Sequence, residues 1–499
     1  MPNNKVAPAA DKGVHLVSSE ELKTKAEFLS SQEKNPIKEN VTGNKTWYTT
    51  VTPTIVHYFA LFILGLLLWG CLWFTWGDGW RWGGSWFRLT SVVAMAWASG
   101  LVLNSITTLP PLIGSLLIGI LARNLGYLDM REFTDIDVFL RKIYPVIILG
   151  KGSLGWDTNY MKENWKQIAP LGIVPWTAEV TTLATCTHFF LGHPWLWGLV
   201  LGSFYASITF PVVIVNVLRV GMSPRRTQNW PQLVATAGGI DTGLSVGVYG
   251  AAFSYLFSEP GLSDTYRYFK AFSTLFIGVA LGITWGSLAG LIPHTKDTYV
   301  VELRVLFVVV SGLFMNCATT YLGWGGVAGV AVLACNATAA RHWAKKGWIL
   351  NKNPASTAYR VIWSACEPAV FAYTGTFVVL KSSIVDTILY GFGILLICLT
   401  VRLSAAALMC WHLSLKEKIF MCCVWSTKSI VEAVLCPTAI NILLQRGGTA
   451  EEMRYADDIV LLTVQEILIT TPLAFLLTRF LGPTLIKDKA LETEADNGA

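Results

Sequence analysis

Residues 230–256 read WPQLVATAGGIDTGLSVGVYGAAFSYL. As a helix this segment would be about 40 Å long, enough to cross a hydrocarbon core of ~30 Å. Its one charge, Asp241, sits near the middle. A charge at that depth costs ~2.5–3.5 kcal/mol on insertion scales, so it needs a partner or a function. Gly238-Gly239 precede the acid and Thr242-Gly243 follow it, and glycine weakens a helix. The pattern predicts an interrupted helix beside an acid at mid-depth, an arrangement that builds ion or proton sites.

The rest of the chain agrees with a membrane setting. Of 499 residues, 53% are hydrophobic and 14% charged, with a mean hydropathy of +0.49. Soluble domains carry about 25% charged residues, so a soluble enzyme is excluded. The 21 Trp suit membrane interfaces, and the 43 Gly permit close helix packing. The net charge of +6 is modest and lies in short loops, which argues topology rather than nucleic-acid binding. The 10 Cys fall mostly in apolar segments and show neither metal-ligand spacing nor a disulfide framework.

Apolar segments run over about 54–76, 86–106, 108–124, 135–151, 167–190, 194–218, 230–256, 268–292, 301–318, 324–340, 357–380, 385–410, 417–444 and 457–482. The expectation is an all-α polytopic membrane protein of about fourteen transmembrane helices. Residues 1–53, with seven Lys, six acids and no apolar stretch, read as a cytosolic, largely disordered tail without a cleavable signal. Residues 483–499 form a second cytosolic tail. With both termini inside, the short inner loops hold twelve Lys or Arg, from Lys162 to Lys418. The outer loops hold six, from Arg81 to Arg454. This positive-inside bias puts both termini in the cytoplasm and leaves the sequons at Asn40 and Asn44 unused. The tail lacks Arg, unlike a mitochondrial transit peptide, so the plasma membrane is favoured over a vesicle or mitochondrial membrane.

No phosphate-binding Gly-Lys-Ser/Thr loop occurs, which argues against an ATP-driven pump, and no TVGYG-like filter occurs. A secondary transporter or an ungated pore remains. Besides Asp241, the charges within spans are Glu179, Glu367, Arg402, Lys428, Glu432 and Glu466. Glu432 stands four residues after Lys428, a spacing that allows a simple helical pair. Glu466 reads as a buried hydrogen-bonding residue, Lys151 as snorkelling from a segment end, and His188 as interfacial. Ser207, Thr209 and Pro211 in one half, and Trp425-Ser-Thr-Lys428 in the other, mark two further interruptions. Paired interruptions suggest inverted repeats with a binding site where they meet.

Several stretches carry a resemblance: TLPPLIGSLLIGILARN (108–124), HFFLGHPWLWGLVLG (188–202), TAGGIDTGLS (236–245), LKEKIFMCCVWSTKSIVEA (415–433) and ILITTPLAFLL (467–477). Over about residues 54–485 the chain resembles the NHA-type branch of the cation/proton antiporters, solute carrier family 9 subfamily B. The resemblance implies fourteen helices and two crossed, unwound helices. It also implies a homodimer that exchanges sodium or lithium for protons by alternating access, with no cofactor. Within 54–482 it implies a dimerisation part at about 54–124 and 268–340 and a transport core at about 135–256 and 357–482. Glu179 and Arg402 fall on a paired acid and arginine, Lys428 on a core lysine, and Asp241 on the first of two consecutive aspartates.

The second of those aspartates, which binds the cation and the proton in the family, is Thr242 here. Near Glu367 the family usually has an amide before Pro, and Thr209-Phe210-Pro211 stands where Ser-Pro is usual. A hydroxyl can ligate a cation but cannot compete for a proton near neutral pH, so the titratable group left at this spot is Asp241. Asp241 and Thr242 are then the expected cation ligands, with Thr209 as a further neutral ligand. Glu367 could restore the missing charge if it faces the same cavity. If it does not, Arg402 and Lys428 would favour chloride, giving a proton-coupled chloride transporter. A transport-silent membrane scaffold is the third reading.

Overall fold

The computed structural model describes residues 53–221, 230–258, 261, 263–348, 353–380 and 385–486. Most of both expected tails, the sequons at Asn40 and Asn44, and Arg225, Arg226, Lys352 and Lys381 lie outside the described residues. The helices are α1 Pro53–Trp76, α2 Ser85–Thr107, α3 Pro111–Asn124, α4 Thr134–Ser153, α5 Thr158–Glu163, α6 Trp165–Leu191 and α7 Trp195–Tyr205. They continue with α8 Phe210–Gly221, α9 Trp230–Leu256, α10 Asp264–Leu291, α11 Val300–Tyr321, α12 Gly326–Ala344, α13 Pro354–Gly375 and α14 Val385–Met409. The last are α15 Leu415–Trp425, α16 Ile430–Leu435, α17 Thr438–Arg446, α18 Ala450–Phe480 and α19 Gly482–Leu485. Among the described residues there is no strand.

The chain divides at Trp80 into two compact units. In the first, the Trp69 indole N–H donates to the Trp80 carbonyl at 2.8 Å and its ring stacks on Trp73. The second, from Arg81 onward, holds all the other helices.

Each predicted apolar segment is met by helix, but by length and composition only seven candidate spans are found among the described residues, not fourteen. The shortfall has physical causes. Helix α4 carries Asp135, Asp137, Arg141, Lys142 and Lys151, and α6 carries Lys166 and Glu179, which lowers their hydropathy. Helices α3 and α7 have 14 and 11 residues, too short to qualify. Such helices are tolerated at membrane depth when other helices rather than lipid surround their polar groups.

Local chemistry sets the helix ends. Ser414 with Glu417, and Thr449 with Glu452, form capping boxes that open α15 and α18. Asn353 caps the Ser356 N–H, and Pro354 takes the first position of α13, where its missing N–H does no harm. Gly192 closes α6 with φ of 69°, a conformation glycine adopts without strain.

Glycine also governs the tightest packing. Gly278, Gly282, Gly286 and Gly290 repeat every four residues along one face of α10, against α12. A Cβ on Gly282 would strike the Ala331 carbonyl, and one on Gly286 the Cys335 carbonyl. Small residues at this spacing let two membrane helices approach backbone to backbone.

One expectation is overturned. Helix α9 runs unbroken through Asp241. Gly239 serves packing instead, since a Cβ there would run into the Trp156 indole.

Candidate functional site

Two helices are interrupted where the polar residues predicted it. The first opens at Ala206–Thr209 between α7 and α8, the second at Ser426–Ser429 between α15 and α16. The unwound segments meet. The Thr209 N–H donates to the Thr427 carbonyl at 3.1 Å. The Thr209 hydroxyl oxygen accepts from the Ser429 and Ile430 N–H groups at 3.0 and 3.2 Å.

Unwinding frees carbonyls at the ends of α7 and α15 and N–H groups at the starts of α8 and α16. Buried charges answer both. The Arg402 guanidinium donates to the carbonyls of Ala206 (2.6 Å) and Trp425 (2.9 Å), and Lys428 Nζ donates to the Tyr205 carbonyl at 2.6 Å. Asp241 accepts the Ile208 N–H at 2.8 Å, and Glu432 accepts the Ser429 N–H at 3.1 Å. Cations thus sit at helix C-termini and acids at N-termini, as helix dipoles favour.

The charges also pair among themselves. Arg402 bonds Glu179 at 2.7 Å and Asp241 at 2.9 Å. The same Glu179 oxygen accepts from Lys428 at 2.8 Å. Lys428 lies 3.8 Å from Glu466. Glu179, Asp241, Arg402, Lys428, Glu432 and Glu466 are all buried. The structure therefore brings together Asp241, Thr209, Glu179, Arg402 and Lys428.

Thr242 neighbours Asp241 but is half-buried, and its hydroxyl donates back to the Gly238 carbonyl at 3.0 Å. Glu367 stands elsewhere. Its charged neighbour is Lys151, whereas the bases around Asp241 are Arg402 and Lys428. Glu367 thus lacks the placement that would let it restore the missing charge.

Glu432 departs from the simple i, i+4 pair. The break at Ser426–Ser429 separates it from Lys428, and its carboxylate instead closes the start of α16 and accepts the Thr209 hydroxyl at 3.3 Å. Two pairs, one buried and one half-buried, escaped the sequence reading. Asp137 bonds Arg141 at 2.5 Å, one turn along α4, while Arg141 also donates to the Ala433 (3.1 Å) and Val434 (2.8 Å) carbonyls. His193 lies 3.1 Å from Asp458. The i, i+4 spacing of Asp137 and Arg141 was a usable signal, but the helix-end carbonyls that fix Arg141 lie nearly 300 residues away.

A cavity of about 320 Å³ approaches the crossing, with Val246 of α9 and Val431 of α16 in its wall. Its charged lining side chains are Arg141, Lys142 and Arg446. Among the described residues no three acids, histidines or cysteines converge as a metal centre.

A chain with crossed broken helices and no catalytic constellation at their junction invites comparison with transporters. Residues 89–481 match the family model described as "Sodium/hydrogen exchanger, transmembrane". The chain is 26% identical over 441 residues to mouse "Sodium/hydrogen exchanger 9B2", covering 86% of this chain and 79% of that one. It is 28% identical over 450 residues to mouse "Sodium/hydrogen exchanger 9B1", covering 88% and 77%. In fold it is similar to the sodium proton antiporter MjNhaP1 from Methanocaldococcus jannaschii. That match has a TM-score of 0.65 at 17% identity and covers 81% of this chain and 99% of that one. An integral membrane protein with discontinuous crossed helices, and a secondary transporter rather than an enzyme, the chain belongs to the sodium/hydrogen exchanger family.

Proposed function

We propose that the chain exchanges sodium or lithium for protons by alternating access at the crossing of its two interrupted helices. The observation that carries this reading is the fully buried ring of Glu179, Asp241, Arg402 and Lys428 around the unwound segments. Buried charges are kept at membrane depth where an ion or proton path requires them. Asp241 supplies the charge at the start of α8, and Thr209 and Thr242 supply neutral oxygens to the cation. Glu179–Arg402 holds the frame, and Lys428 is the counter-charge.

The helices below the length and hydropathy of a span cross as well, making about fourteen in two inverted repeats, and both termini are cytoplasmic. The protein works as a homodimer in the plasma membrane. The dimerisation part is about 54–124 and 268–340, and the transport core is about 135–256 and 357–482.

A second reading, proton-coupled chloride transport, draws on one observation: the cavity that approaches the crossing has Arg141, Lys142 and Arg446 as its charged lining and no acid. Purified protein in liposomes, challenged with sodium, lithium, potassium and chloride gradients, separates the two. Proton flux driven by sodium or lithium supports exchange, and Asp241→Asn should abolish it while leaving folding intact. Flux driven by chloride alone overturns it.

A further inference from the structure

The ring around the crossing contains more acids than bases. Glu179 and Asp241 are matched by Arg402 and Lys428, every one of these contacts being 2.9 Å or shorter. That set is neutral. Glu432 and Glu466 are then surplus, and both are 0% exposed. Neither makes a close ion pair: Glu466 stops 3.8 Å short of Lys428, and Glu432 forms no ion pair within 4 Å among the described residues.

Their hydrogen bonding is also incomplete. One Glu432 oxygen takes the Ser429 N–H and the Thr209 hydroxyl, but Oε1 has no partner. Both Glu466 carboxyl oxygens are without one. Natural interiors rarely leave such atoms bare, and an ionised carboxylate in that state would cost several kcal/mol. The groups facing Glu466 are Lys428, Glu179, Glu432, Arg402, Tyr205 and Cys398. Those facing Glu432 include Lys428, Tyr205, Glu466 and Cys436. The two bases in this company, Lys428 and Arg402, are already engaged by Glu179 and Asp241.

Asp241 is in the opposite condition. Its Oδ1 takes the Ile208 N–H and its Oδ2 takes Arg402, so its charge is matched. The neutral Thr242 beside it adds no titratable group. The acids with unmet capacity lie across the crossing, on α16 and α18.

We propose that Glu432 and Glu466 carry the protons exchanged for the cation, with Glu432 Oε1 as the cation's landing point beside Thr209, whose hydroxyl can turn to the ion only by giving up one of the two N–H groups it now accepts. This rests on the cation/proton exchange proposed above. At rest both carboxyls hold a proton and the ring is neutral. When sodium or lithium enters, a carboxyl releases its proton to water on the side to which the proposed alternating access has opened the site, and the carboxylate left behind offsets the cation. One O–H bond breaks for each cation charge neutralised. If both acids release for one cation, the site gains one negative charge, so two protons leave per cation and transport is electrogenic. Lys428 Nζ donates to Glu179 and the Tyr205 carbonyl, which leaves its third N–H for Glu466 once that group ionises.

The test is infrared difference spectroscopy on purified protein in lipid, paired with liposome flux. Adding sodium or lithium, but not choline, should bleach carbonyl bands of protonated carboxyls. Glu466→Gln should lose one band and Glu432→Gln another, and each should lose cation-driven proton flux. Gln at 432 can still accept the Ser429 N–H, and Glu466→Asp, which keeps a titratable group, should recover part of the flux. Circular dichroism on the same samples establishes that they are folded.

Cation-insensitive bands in folded wild type overturn the proposal, as do Gln variants that keep both bands or wild-type flux. If wild type exchanges sodium for protons while both Gln variants do so equally well, the exchange reading stands and this site assignment falls. If the bands respond to cation but no wild-type liposome exchanges, the landing point is supported and the exchange reading falls.

Discussion

Arg402→Ala should be the most damaging single change at the crossing. The guanidinium is fully buried and makes four hydrogen bonds, to Glu179, Asp241, and the carbonyls of Ala206 and Trp425. Glu179 would keep Lys428, but Asp241 has no other cation within 4 Å among the described residues. One stranded buried charge costs about 3–5 kcal/mol. The two carbonyls left without their donor add roughly 1 kcal/mol or more each. The total, about 5 kcal/mol or more, is comparable with the entire stability of many proteins. Arg402→Ala should therefore melt well below wild type in detergent, followed by tryptophan fluorescence. Adding Asp241→Asn in the same chain removes the stranded charge and should recover much of the loss, whereas Asp241→Asn alone should be only mildly destabilising. Wild-type melting of Arg402→Ala, or a double variant no better than the single one, would refute the reasoning.

Glu179→Gln removes the carboxylate shared by Arg402 and Lys428, and should lower the detergent melting temperature by a loss of order 3 kcal/mol. Thr242→Asp gives up only a bond back to the Gly238 carbonyl, and places a second acid beside Asp241. It should strengthen sodium-driven proton flux and suppress any chloride-driven flux in paired liposome assays. Gly282→Leu drives a side chain into the Ala331 carbonyl and should destabilise by about 1–3 kcal/mol or more, while the exposed Ile283→Leu next to it should melt as wild type.

Much of the architecture was legible because apolar length and polar punctuation are local properties. Every apolar segment became helix, and Ser207, Thr209 and Trp425–Lys428 marked both interruptions. Asp241 misled on the helix itself, since glycine pairs signal close packing as readily as a break, and here Trp156 takes the space. The site was legible as a set of expensive charges but not as a wiring diagram. Arg402 reaches Asp241 across 161 positions and Glu179 across 223, distances over which helical periodicity says nothing. Glu432 shows the converse, because a break in the chain cancelled the i, i+4 geometry that its spacing to Lys428 implied. Glu367 was legible as an acid within a span, yet only the packing of α13 shows that its charged neighbour is Lys151 rather than Arg402 or Lys428.

The stitching between the unwound segments has a mechanical corollary. Thr209 is tied to the Thr427 carbonyl by its own N–H, and to the start of α16 by the Ser429 and Ile430 N–H groups that converge on its hydroxyl. Arg402, on a third helix, clasps the last carbonyl of each broken half, and Thr471 of α18 bonds the Lys428 carbonyl. Four half-helices and two neighbours are thus pinned at one point like a riveted joint. A rivet resists slip, and these bonds hold the two half-helix pairs together as one body. On the alternating access proposed above, exposing an ion first to one side and then to the other is expected to carry the whole joint as a unit.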